Sequence, residues 1–215
     1  VFHKGKPLAY MILADIEGEK IEISPIIKHL RFIQTLINII VVALENKRLN
    51  KEQIKQIAIK KELELAQSMQ SLLFPRTLPN TKELSVKALY MPHSEVGGDY
   101  YDVIPLKEGK VALCMADVSG KGMSAALLMA NFQASLHSLL HRGLNLENIV
   151  REINAAVFKV TGGDRFVTLF LAKYDPAERS LHFINAGHPP PLVVSDGEII
   201  KLENGCTPVG WMPDI

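Results

Sequence analysis

From residue 26 to residue 74 the chain carries neither proline nor glycine, and its apolar positions recur at helical spacing. Ser24-Pro25 supplies a start, with Ser as N-cap and Pro at the first helical position, and FPRTLP supplies a stop. A helix over the whole run would be roughly 70 Å long, too long for the core of one domain. Its halves differ. Ile26 to Leu44 is apolar almost all round and is expected to pack against a domain. Glu45 to Phe74 is strongly charged, with Ile54, Ala58, Leu65 and Leu72 tracing a heptad-like stripe broken by Lys61 and Ser68. That stripe fits a linker helix pairing with its own copy in a homodimer, or an amphipathic helix lying on the next domain. The homodimer is the expectation. Ahead of the helix, PLAYMILAD reads as one strand followed by the turn-like EGEK.

Beyond residue 84 the pattern changes to short apolar runs separated by glycine, proline and aspartate. Strands are predicted over 84–90, 100–106, 111–117, 166–174, 180–185, 191–194 and 198–202. Two helices, 123–141 and 146–160, fall between them, the first closed by Gly143 and the second started by Asn145. Paired helices inserted among antiparallel hairpins imply an α+β domain with antiparallel sheets flanked by helices, not a doubly wound parallel sheet. The expected organisation is therefore three sections: 1–48, a helical linker over 49–80, and a layered domain over 81–215.

Composition narrows the class. With 47% hydrophobic and 22% charged residues the chain is globular rather than disordered. A formal net charge of +1 argues against a nucleic-acid binder. The longest apolar stretch, LINIIVVAL, is too short to span a bilayer and is interrupted by Asn38. Cys114 and Cys206 lack CxxC spacing and read as reduced thiols, so a cytoplasmic location without a membrane segment in this chain is expected. The chain opens on Val1 and stops at GWMPDI, and reads as a fragment at both ends.

Candidate chemistry sits in EVGGDYYDVIPLKEGKVALCMADVSGKG, residues 95–122, where Asp99 and Asp117 each lie beside glycine at the end of an apolar strand. If Lys107-Glu108-Gly109 is a three-residue hairpin loop with Gly109 left-handed, Leu106 faces Lys110 and Asp99 stands opposite Asp117. A two-residue loop would put them on opposite faces instead. Opposed carboxylates repel and raise one another's pKa unless a cation lies between them, and a hard divalent cation with oxygen ligands removes that repulsion. Each aspartate taken alone is an ordinary turn residue. The pair in register, flanked by glycines that permit close backbone approach, favours a metal site, with the Val118 carbonyl as a further donor.

The motifs VGGDYYD, ADVSGKGMSAALLMA, FVTLFLAKYD and NAGHPPPLVV, in that order, resemble the SpoIIE/RsbU-like sporulation and sigma-regulator branch of the metal-dependent, protein phosphatase 2C-like serine/threonine phosphatases. The resemblance runs from Leu65 to about Gly210, and QSMQSLLFPRTLP is similar to the helix that precedes this catalytic domain. Residues 1–49, ending in VVALENKRL, resemble the last strand and helix of a GAF sensor domain. The resemblance implies a phosphoserine/phosphothreonine phosphatase using two Mn²⁺ or Mg²⁺ ions. It implies that Asp117 bridges both ions, that Asp99 binds one, and that the Val118 carbonyl completes that side. Water then attacks phosphorus in line without a protein nucleophile. The implied partner is a phosphorylated anti-sigma-factor antagonist. One departure stands out: the family's TDG-type motif and a later aspartate do not occur before Ile215, so about half of the implied metal shell is present. Asp196 in SDGE reads as a hairpin turn and does not replace them. A phosphatase-like scaffold without catalysis is the alternative.

His137 and His141, four apart on one helix face, lack the acidic residue and third ligand that a zinc site needs. His188 in AGHPPP is expected to serve structure under the proline turn rather than proton donation. Lys121 is either an attractor of a phosphoprotein near the metals or a solvated loop lysine. Asp102, three positions beyond Asp99, projects from the other strand face and is expected to be structural. GGDYY has Tyr100 where the GGDEF cyclase signature has its second acidic residue, which excludes that reading.

Overall fold

A computed structural model describes residues 25–215 apart from 93–94, together with 2–3, 6–7 and 12. The expected strand over 7–15 lies largely outside the described residues. Contacts divide the chain into two units, Val1–Glu62 and Leu63–Ile215. In the first, strands β1 (Phe2–His3) and β2 (Lys6–Pro7) pair antiparallel. Helix α1 (Pro25–Ser71) starts at the predicted proline and belongs to both units. Its apolar half is not packed as expected. Leu30, Phe32, Leu36, Ile39, Ile40, Val42 and Leu44 are exposed, and Val41 is buried. The stripe residues Ile54, Leu65 and Leu72 are exposed as well. No described helix is long and apolar enough to cross a membrane.

The second unit is a mixed α+β layer. One sheet has the order β3-β4-β5-β6-β9, formed by β3 (Asp99–Pro105), β4 (Val111–Val118), β5 (Val167–Asp175), β6 (Ser180–Ala186) and β9 (Gly205–Cys206). All its neighbours are antiparallel except β6 and β9. A separate hairpin joins β7 (Leu192–Ser195) to β8 (Glu198–Lys201), and Asp196 and Gly197 at its tip both have positive φ. That is the Asp-Gly turn the sequence predicts.

One face of the sheet is covered by α2 (Met123–Leu140) and α3 (Leu146–Thr161). Ala, Leu and Met fill α2 with strong helix formers, and Ala125, Met129, Phe132, Leu136 and Leu139 recur at the spacing of a single buried face. They meet Tyr100, Ile104, Ala112, Ala116, Leu169 and Leu171 from the sheet in one core. Each fully buried side chain of this size contributes about 1.5–3 kcal/mol. Asn145 caps α3, its Oδ1 accepting from Asn148 N at 2.9 Å, and left-handed Gly162 ends it. Asn154, almost wholly buried, accepts from Gly210 N (2.7 Å) and donates to the Met212 and Pro213 carbonyls (3.0 and 3.1 Å). It thereby ties the last residues to α3.

One predicted strand is missing. Residues 84–90 form no ladder beyond a single bridge between Asn80 and Ser85. Their alternation suits a sheet, and β3 is an edge strand, yet no ladder joins the two.

Candidate active site

The loop between β3 and β4 closes as a three-residue turn. Leu106 N donates to Lys110 O (2.8 Å) and Lys110 N to Lys107 O (3.3 Å). Gly109 is left-handed as expected, and so is Glu108, at φ 59°. The register that follows pairs Asp99 with Asp117, Tyr100 with Ala116 and Asp102 with Cys114. Asp99 and Asp117 thus share the sheet face away from α2, both exposed. The Asp117 carboxyl is held above its ordinary range, first by burial, then by the charge of Asp99 and a hydrogen bond between the two carboxyls.

Glycines bring backbone to the pair. Val118 N donates to Gly98 O at 3.3 Å, and a Cβ on Gly98 would lie 2.7 Å from the Val118 carbonyl oxygen and 3.1 Å from its Cβ. Gly98 is therefore the residue that admits that carbonyl beside Asp99. Gly97 is clamped from α1: Gln70 donates from Nε2 to Gly97 O (2.8 Å) and accepts from Gly97 N at Oε1 (3.2 Å). Gln70 is buried, and just beyond it Phe74 packs on Tyr90, Tyr100 and Tyr101 at centroid distances of 4.5, 5.8 and 5.4 Å. Lys121 is exposed in the turn between β4 and α2, where Gly120 and Gly122 have positive φ.

His188 is tied to β5. Thr168, the β5 partner of Asp117, shares a 2.9 Å hydrogen bond between its Oγ1 and His188 Nδ1, and Asn185 Oδ1 accepts from His188 N at 2.8 Å. His188 and Asp99 line one cavity of about 700 Å³ with Tyr90, Tyr101, Met115 and Phe170. Burial pushes the His188 imidazole down while the Asp99 charge opposes it, which favours the neutral ring. These hydrogen bonds fix His188 at the rim of that cavity.

Asp102 and His137 belong together on the opposite face. Asp102 Oδ2 meets His137 Nε2 at 2.6 Å and accepts from Tyr100 Oη at 2.5 Å, while Oδ1 accepts from Val103 N at 2.7 Å. His141 turns its Nδ1 to the His137 carbonyl. The helical histidine pair is thus committed to internal contacts, and Asp102 is structural, as expected.

Two carboxylates and one carbonyl are the donor chemistry of a hard divalent cation. The fit is that of part of a shell. Among the described residues no three His, Cys, Asp or Glu side chains gather to hold a metal ion.

Comparison with known proteins is consistent with this arrangement. The family model described as stage II sporulation protein E (SpoIIE) matches residues 107–215, half of the chain. That span holds Asp117, Val118, Lys121 and His188, with Asp99 just ahead of it. Phosphoserine phosphatase RsbU of Bacillus subtilis (strain 168) is 31% identical over 150 residues, covering 69% of this chain and 44% of that protein. Phosphoserine phosphatase RsbP of the same organism is 26% identical, covering 73% of this chain and 40% of that protein. The chain thus spans less than half the length of these curated relatives. Among solved structures, the SiaA-PP2C domain of Pseudomonas aeruginosa has a TM-score of 0.59 at 22% identity, covering 72% of this chain and 64% of that one. This last likeness is one of fold.

Proposed function

The chain belongs to the stage II sporulation protein E family, and from that premise we propose that it carries the catalytic site of a metal-dependent phosphoserine/phosphothreonine protein phosphatase. The observation that supports this most is the placement of Asp99 directly opposite Asp117. In this reading Asp99, Asp117 and the Val118 carbonyl would hold the Mn²⁺ or Mg²⁺ ions. Bound there, the ions would acidify water, orient the phosphate and neutralise the charge that develops on its oxygens. The chain's own groups do the rest. Gly98 keeps the Val118 carbonyl close to Asp99, Thr168 fixes one imidazole nitrogen of His188, and Lys121 draws an anionic substrate towards the site. RsbU and RsbP carry the name phosphoserine phosphatase, and a phosphorylated anti-sigma-factor antagonist is the substrate we propose for this chain.

Control is proposed to come through α1. A GAF-like sensor preceding a dimerising linker helix would shift the helix end, and the Gln70–Gly97 clamp would pass that shift to the loop bearing Asp99. A second reading is a phosphatase-like scaffold that binds a partner without hydrolysis; it draws on the finding that, among the described residues, no three His, Cys, Asp or Glu side chains gather to hold a metal ion.

The test is Mn²⁺-dependent hydrolysis of a phosphoserine peptide by the full-length protein, beside Asp117→Asn. The expected result is hydrolysis that falls by at least ~100-fold in the variant. Folded protein with no metal-dependent hydrolysis in either form would instead establish the scaffold.

A further inference from the structure

The turn that follows Asp117 is gripped by a residue 46 positions further along the chain. Arg165 lies just ahead of β5, whose Val167 pairs with Val118 at the Asp117 end of the sheet. Its Nη1 donates to Ser119 O at 2.9 Å. Gly120, at φ 104°, is what lets the guanidinium lie there: a Cβ on that residue would collide with Arg165 Nη1 and come 2.8 Å from its Cζ. The surrounding backbone is fixed twice more, by Ser119 N to Phe166 O and by Phe166 N to Ser119 Oγ, both at 2.9 Å. Thr161 Oγ1 donates to the Arg165 carbonyl at 2.9 Å. The exposed Arg165 side chain is thus tied across a glycine turn.

Its charge is unspent. Among the described residues Arg165 forms no ion pair. A guanidinium has five N–H donors in a planar fork, and the Ser119 carbonyl engages one nitrogen. Lys121, also exposed, follows on the same turn. Two cations therefore flank a turn whose other end is a pair of like-charged carboxylates. An ordinary surface arginine would be offset by a neighbouring carboxylate or left free to move. One tied to the Ser119 carbonyl, two residues beyond Asp117, and in no described ion pair suits a planar, multiply accepting anion, for which arginine is better shaped than lysine.

We propose that Arg165 is the anchor for the phosphoryl group of a phosphoserine peptide, its fork donating to phosphate oxygens while Lys121 adds positive charge at the rim. This assignment rests on the phosphatase reading for the kind of ligand, but not for the binding itself.

The test is calorimetric binding, in Mn²⁺ buffer, of a peptide bearing a non-hydrolysable phosphonate analogue of phosphoserine, with the unmodified serine peptide as control. Wild type, Arg165→Gln and Arg165→Lys are compared as full-length proteins. Glutamine can still donate to the Ser119 carbonyl but has no charge, whereas lysine keeps the charge and loses the fork. The anchor predicts analogue binding about 10- to 100-fold weaker in Arg165→Gln and a smaller loss in Arg165→Lys. Melting temperature and Mn²⁺ affinity should stay unchanged. Equal analogue binding by wild type and Arg165→Gln overturns the anchor, as does failure of wild type to bind the analogue better than the serine peptide. A loss that tracks a fall in melting temperature or in Mn²⁺ affinity also overturns it, leaving Arg165 as a staple of the turn. If Arg165→Gln does not fold, Arg165→Lys decides, and wild-type affinity in that variant overturns the anchor. Arg165-dependent binding by a protein that hydrolyses no phosphoserine peptide keeps the anchor and removes the phosphatase. Hydrolysis with Arg165-independent binding does the reverse.

Discussion

Asp99 and Asp102 stand three residues apart on β3, yet one carboxylate faces solvent and a like charge while the other lies beneath a helix among three polar contacts. The alternation of a strand does this: neighbouring side chains point to opposite faces, so an odd offset changes the environment completely. At Asp102 every oxygen is engaged, and the Tyr100 phenol, its pKa pushed up by burial and then by Asp102, remains a donor. At Asp99 the register places Asp117 across the ladder, and no described basic side chain forms an ion pair with either carboxylate. A satisfied buried carboxylate holds structure together. An unsatisfied pair on an open face is available for a cation.

Substitution should separate the two sharply, and the largest effect belongs to Asp102. Asp102→Ala removes the partner of Tyr100 Oη, His137 Nε2 and Val103 N together, and should cost about 3 kcal/mol. Asp99→Ala, on the exposed side, should stay within about 0.5 kcal/mol. Urea unfolding followed through Trp211, the chain's single tryptophan, reads both. Equal losses would mean that the two carboxylates are not distinguished by their pairing.

The glycines beside Asp99 give a second, smaller contrast. Gly98→Ala drives a Cβ to 2.7 Å from the Val118 carbonyl and 3.3 Å from the Ala125 Cβ, with rigid neighbours on both sides. The expected loss is ~2 kcal/mol, accompanied by weaker Mn²⁺ binding because that carbonyl must move. Gly97→Ala meets the Tyr90 hydroxyl at 3.1 Å and little else, so its loss should be smaller and should leave Mn²⁺ affinity as in wild type. Mn²⁺ titration of both variants checks the difference; equal weakening would show that Gly98 has no special relation to the Val118 carbonyl.

What could be read beforehand was what depends on local counting. The loop Lys107–Gly109 fixed the register, and with it the Asp99–Asp117 pairing, because strand alternation carries one turn's geometry along the entire hairpin. Helices α2 and α3 were visible in their apolar spacing, and Asn145 and Gly143 marked their ends. The contacts that escaped join distant residues. Gln70 meets Gly97 across 27 positions, and Arg165 meets Ser119 across 46. Asn154 reaches Gly210 across 56. Nothing in a single sequence says that the helix face of His137 and the strand face of Asp102 will meet. The strand expected over 84–90 failed for a related reason: alternation shows that a segment could join a sheet, not that it pairs with one. The one signal within reach was AGHPPP, whose His188 follows a glycine at the end of β6.

The smallest effect is also the most direct test of why the pair is there. The Asp117 carboxyl has its pKa raised in the folded protein, so without a cation the folded state binds that proton more tightly than the unfolded chain does. The associated stability is therefore fully present below the unfolded carboxyl pKa and is lost as pH rises through the folded one. At neutral pH the ionised pair opposes folding, though solvent screens a pair this exposed and keeps the cost below about 1 kcal/mol. Asp117→Asn removes one of the two charges and keeps the shape. In the absence of divalent metal it should raise the melting temperature by about 1–2 °C at neutral pH and leave it unchanged in acid. Adding Mn²⁺ should invert the order, since wild type would gain a ligand-linked stabilisation that the amide largely forfeits. A metal-free Asp117→Asn protein that melts lower than wild type would mean that the Asp117 carboxylate already has a stabilising partner. Asp117 would then resemble Asp102, and the contrast between the two faces of the sheet would not mark a cation site.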